Sequence, residues 1–212
     1  MASVVPTVLA ADPADYAERI SCVEGFAKRL HIDICDGVFA SPKTIGLSQV
    51  YTPDGIPFDL HLMMTHPEGQ IEAIASLQPQ LVIVHFEADA DRDVLVRELH
   101  EFGIRVGLAI NPETTVEQVA TLLPNFDHLL VFTGNLGHNS GEFRTDCLDK
   151  IAQARTINPE LEIAVDGGIN QLTATAAIEA GANVLYAGSF IHDAEDPEAA
   201  FIGLTAIAEA VS

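Results

Sequence analysis

His31 and Asp33 stand two residues apart in "LHIDICDG", and Asp59, His61 and Met63 repeat that spacing in "FDLHLMM". Along an extended strand, residues two apart share a face. Each segment therefore presents a row of imidazole and carboxylate groups between apolar neighbours. Further along, "HFE" ends an apolar run with His85 and Glu87, and "AVDGG" ends another at Asp166. Taken singly, His85 or Asp59 reads as a hydrogen-bonded structural residue. Taken together at strand ends, His31, Asp33, His61 and Asp166 make a mixed nitrogen and oxygen set suited to one divalent cation such as Zn, Fe, Mn or Co. A cation would also neutralise carboxylates that are costly to bury alone.

Other chemistries find less support. The lysines are Lys28, Lys43 and Lys150, and none ends an apolar run where a Schiff-base nucleophile would be needed. Ser189 and Thr133 have no evident histidine-carboxylate relay, and no glycine fingerprint for nucleotides is present. Two glycine-rich turns remain, "DGGIN" at 166–170 and "AGSF" at 187–190. Gly168, Gly188 and Ser189 can offer backbone amides to a phosphate, or the glycines can simply permit tight turns.

The elements that must position these groups follow from eight apolar runs: Val4–Leu9, Leu30–Ile34, Phe58–Met63, Leu81–His85, Ile104–Ile110, His128–Phe132, Leu161–Val165 and Val184–Ala187. Runs this short, rich in Val, Ile and Leu, suit parallel strands buried on both faces. Helix signals separate most of them. "NPETTVEQVATLL" places Pro112 and Glu113 in a first turn, and Gly181 is a C-terminal stop. The connection "FASPKTIGLSQVYTPDG" has room for a short helix only. The pattern predicts a single (β/α)8 barrel domain over residues 1–212, with a doubly wound open sheet as the alternative. In a barrel the site lies at the C-terminal strand ends, where the polar residues fall.

Composition narrows the partners. Thirty-one acidic residues against ten basic ones give a formal net charge of −21, which disfavours nucleic acid and anionic membranes. No apolar run approaches the roughly 20 residues of a membrane span, and the first residues carry no basic region ahead of their apolar run. Cys22, Cys35 and Cys147 lack metal-type spacing, so reduced thiols and a cytoplasmic location are expected.

The ordered set "HIDICDGVF", "DLHLMMTHP", "HFEA", "GLAINPET", "VDGGIN" and "GANVLYAGSFI" resembles the ribulose-phosphate 3-epimerases over nearly the whole chain. The resemblance implies a barrel that interconverts D-ribulose 5-phosphate and D-xylulose 5-phosphate with one divalent metal on His31, Asp33, His61 and Asp166. It further implies proton transfer by Asp33 and Asp166 through a cis-enediolate, a substrate contact from Thr7, and Met63 as an apolar wall beside the intermediate. Relatives of this kind form dimers or hexamers, so a homo-oligomer is expected.

The rim departs from the family pattern. Its "PGFGGQ"-like loop is replaced by "FTGNLGHNSGEF", in which Gly137 and Gly141 can form a different backbone nest and His138 can add a phosphate contact. Cys35 and Phe132 stand where further methionines are expected. Two alternatives therefore accompany the main reading: epimerisation of another ketose phosphate such as allulose 6-phosphate, or a non-catalytic sugar-phosphate-binding barrel.

Overall fold

The apolar runs become eight parallel strands, each buried along nearly its full length: β1 (Ser3–Leu9), β2 (Leu30–Cys35), β3 (Phe58–Met63), β4 (Leu81–His85), β5 (Arg105–Ile110), β6 (His128–Phe132), β7 (Glu162–Asp166) and β8 (Val184–Ala187). The computed structural model describes residues 2–134, 136, 138 and 142–211. The strands pair in chain order and close where Ser3–Pro6 of β1 runs beside Val184–Ala187 of β8. The fold is thus the (β/α)8 barrel rather than the open sheet.

Helices α1 (Pro13–Val23), α2 (Ile71–Leu77), α3 (Arg92–Glu101), α4 (Val116–Val119), α5 (Leu148–Ile157), α6 (Gln171–Glu179), α7 (Ser189–His192) and α8 (Pro197–Val211) connect or follow the strands. Local chemistry starts and stops them. Asp12 caps α1 by accepting from the amides of Ala14 and Asp15, with Pro13 in the first turn. Asn170 caps α6 in the same way, and Gly181 follows that helix at φ +113. The second connection holds only a short 3-10 turn, Leu47–Gln49, as expected.

One expected helix is shorter than the sequence suggests. Residues 111–123 do not form a continuous helix: α4 starts after Thr115, spans four residues, and gives way to a 3-10 turn at Leu123–Asn125. The preceding backbone has other partners. Lys150 Nζ donates to the carbonyls of Asn111, Pro112 and Thr114 at 2.5–3.0 Å, and the Asn111 amide donates to Glu87. Those bonds hold residues 111–114 as a loop above β5.

Most of the core lies between the strands and the helices. Inside the barrel, Val5, Ile83, Leu130 and Ala164 form a small apolar layer. Polar groups lie on either side of it. Toward the N-terminal strand ends, fully buried Asp59 accepts from Arg29 Nε, the Tyr186 hydroxyl and Gln80, while Glu162 accepts from Arg29, Arg105 and His128. Gly107 leaves room for His128, since a Cβ there would lie 3.0 Å from that ring. Among the described residues no helix is long and apolar enough to cross a membrane.

Candidate metal centre and substrate cleft

At the C-terminal side of the barrel, the parallel register places Asp33 of β2 beside His61 of β3, with His31 one pleat below. Asp166 ends β7 and reaches the same point from across the barrel mouth. His31, Asp33, His61 and Asp166 are all buried, and one donor atom from each lies within 4.8 Å of every other. His61 Nδ1 is 2.8 Å from Asp33 Oδ1 and 3.8 Å from Asp166 Oδ2. His31 Nε2 is 3.3 Å from both Asp33 Oδ1 and His61 Nδ1, and 3.7 Å from Asp166 Oδ2.

The donor set fits a divalent cation. Two imidazole nitrogens and two carboxylate oxygens converge on one buried point, the mixed nitrogen and oxygen set that such a cation takes. Burial pulls His61 down to about 4, which keeps the neutral, metal-competent imidazole. Burial would raise Asp33, but foremost the charge and hydrogen bond of His31 hold it well below the usual carboxylate range. Burial together with the Asp33 charge pushes Asp166 up to about 7. Two carboxylates of different proton affinity therefore face one another.

Above this cluster is a cleft lined by Thr7, Met63, Phe132, Tyr186, Gly188 and Ser189, among others. Thr7 Oγ1 is buried without a hydrogen-bond partner. Met63 and Phe132 make an apolar wall, and Cys35 packs behind Met63 with its sulfur 3.7 Å from the thioether. Burial raises the Cys35 thiol far above its ordinary value, so it stays protonated and packs rather than ligating.

The glycine turns border the same cleft. Gly168 has φ +68, and Gly167 has φ +109 with its Cα against Gly134. A Cβ on Gly167 would fall 2.3 Å from the Gly134 nitrogen, so only glycine permits this approach of the two loops. Gly188 has no such requirement, its Cβ position lying 3.6 Å from Thr7 Cβ.

The structure thus brings Thr7, His31, Asp33, His61, Met63, Asp166, Gly168, Gly188 and Ser189 to one mouth. His138 also lines it, whereas Gly137 and Gly141 lie outside the described residues. Asp59, in the same row as His61, belongs to the opposite polar layer. Sequence reasoning missed Tyr186, whose ring stacks on His31 with centroids 3.7 Å apart. Its signal was present: Tyr186 sits two residues before Gly188 on the inward row of β8.

Comparison with known proteins identifies a family. The model of the ribulose-phosphate 3 epimerase family matches residues 3–192. Ribulose-phosphate 3-epimerase of Bacillus subtilis is 35% identical over 205 residues, covering 92% of this chain and 94% of the relative. The enzyme of that name from Schizosaccharomyces pombe is 33% identical over 210 residues, covering 96% and 92% respectively. Among solved structures, 3-hexulose-6-phosphate synthase from Salmonella typhimurium superposes with a TM-score of 0.74 at 16% identity, covering 99% of both chains. That likeness concerns the fold alone.

Proposed function

The chain belongs to the ribulose-phosphate 3-epimerase family, and from that premise we propose that it interconverts D-ribulose 5-phosphate and D-xylulose 5-phosphate. The observation that carries the reading is the meeting of Asp33, Asp166 and two imidazoles at the floor of a cleft. Epimerisation beside a ketone requires removal of a weakly acidic C–H proton from one face and delivery of a proton to the opposite face. Two carboxylates from strands well apart round the barrel meet that requirement: one accepts the proton at C3, and the other delivers a proton from the far side. Their roles exchange with the direction of reaction.

His31, Asp33, His61 and Asp166 would hold a divalent cation. Bound there, it would supply positive charge opposite the oxygens that become negative as the proton leaves. Thr7 offers its hydroxyl to the sugar, and Met63 with Phe132 keeps water from that side of the reacting carbon. The amides around Gly168, Gly188 and Ser189 provide neutral donors for the phosphate.

The test is NMR of the metal-supplemented protein with D-ribulose 5-phosphate in D2O. Deuterium at C3 with formation of xylulose 5-phosphate supports the proposal; the absence of both contradicts it. A second reading, a ketohexose phosphate such as allulose 6-phosphate, draws on Leu136 and His138 in the replaced loop after β6. It requires a higher kcat/KM for the hexose than for the pentose.

A further inference from the structure

His85 and Glu87, at and just beyond the end of β4, lie outside the four-residue cluster but connect to it in series. His61 Nε2 faces His85 Nε2 at 2.8 Å, and His85 Nδ1 faces Glu87 Oε2 at 3.3 Å. The other Glu87 oxygen accepts from the Asn111 amide at 2.9 Å and from the Thr114 hydroxyl. Both histidines are fully buried.

Proton positions along this chain are interdependent. A carboxylate only accepts, so the His85 nitrogen facing it must carry hydrogen. In a neutral imidazole the other nitrogen is then an acceptor. His85 Nε2 can accept only from hydrogen on His61 Nε2. That leaves His61 Nδ1 as a lone pair aimed into the cluster. In the reverse order, open while a proton rather than a cation occupies Nδ1, His61 Nδ1 donates to Asp33 at 2.8 Å and neutral His85 turns a lone pair on the Glu87 carboxylate.

We infer that Glu87 is a positioning residue which, through His85, fixes His61 in the tautomer that offers Nδ1 to a metal ion. The same carboxylate ties that relay to the loop at residues 111–114, which Lys150 braces from the other side. The relay therefore has a fixed outer anchor, and it uses the "HFE" and "NPET" motifs that proton transfer itself does not require. Ligating histidines held this way by an outer carboxylate commonly lose metal affinity when the carboxylate is removed.

This inference rests on the metal reading of the cluster, and the experiment separates the two. Metal-stripped parent protein is titrated with Zn2+ against a chromophoric chelator, and histidine tautomers are read by long-range 1H–15N NMR. Glu87→Gln and His85→Leu should each bind Zn2+ roughly 10–100-fold more weakly, and Glu87→Gln should move hydrogen from His61 Nε2 to Nδ1. Thr114→Val removes a loop contact of Glu87 but not the relay, and should retain affinity near the parent's.

Parent-like affinity with an unchanged His61 tautomer in both relay variants overturns the inference. So does an equal loss in Thr114→Val, which would make the effect one of loop packing. A parent that does not bind Zn2+ overturns the metal reading and the relay together.

Discussion

At the scale of single residues, the two aspartates differ in ways that a sequence cannot express. With no cation bound, Asp33 is held ionised foremost by His31, whereas burial and the Asp33 charge favour the neutral form of Asp166. Both are needed if one accepts a proton and the other returns it. Asp33→Asn and Asp166→Asn should each lower kcat by roughly 100- to 10,000-fold, with the far-ultraviolet circular dichroism of the parent retained. Near-parent turnover in either variant would remove that residue from the proton path. His31, Asp33, His61 and Asp166 were legible in the sequence because a spacing of two and a position at a strand end both survive folding. The His85–Glu87 relay was visible only as a motif, since its meaning depends on which ring nitrogen faces which neighbour.

At the scale of elements, buried parallel strands leave a strong trace because both faces are apolar, and the observed strands begin and end within about a residue of the apolar runs. The segment after β5 shows where the trace fails. Pro112 and Glu113 are good first-turn residues, yet the backbone there bonds to Glu87 and Lys150 instead of entering a helix. Neither partner is local, so the helix signal could not register them. Lys150→Met should remove the ammonium donor from three loop carbonyls, of which that of Asn111 keeps the Thr114 amide, and cost about 1–3 kcal/mol, read as a lower denaturant midpoint. An unchanged midpoint would mean that water replaces the ammonium without loss.

At the scale of the whole molecule, a buried ionic layer and a candidate cation centre lie on opposite sides of the barrel's apolar filling. Burial would raise Glu162, but His128, Arg29 and Arg105 hold it far below its ordinary value. A depressed folded-state pKa stabilises fully above the unfolded value, near 4.3, and that stability fades as pH falls toward the folded value. The unfolding free energy should therefore decline below about pH 5, by on the order of 2 kcal/mol from this group. Glu162→Gln should flatten that slope; an identical slope in the variant would assign it to other carboxylates. At the other end, a cation that binds only the folded barrel should add about 2.7 kcal/mol at a hundred times its dissociation constant. A chelator should accordingly lower Tm, and a Tm indifferent to both metal and chelator would deny the cluster that role. The order of synthesis gives the barrel's closure another meaning. Ribosomes make His31, Asp33 and His61 early, but Asp166 arrives on β7, and β8 must still pair with β1 before the ring is complete. A cation that needs all four ligands would be held only weakly by a nascent chain, so tight binding at this cluster would mark a closed barrel.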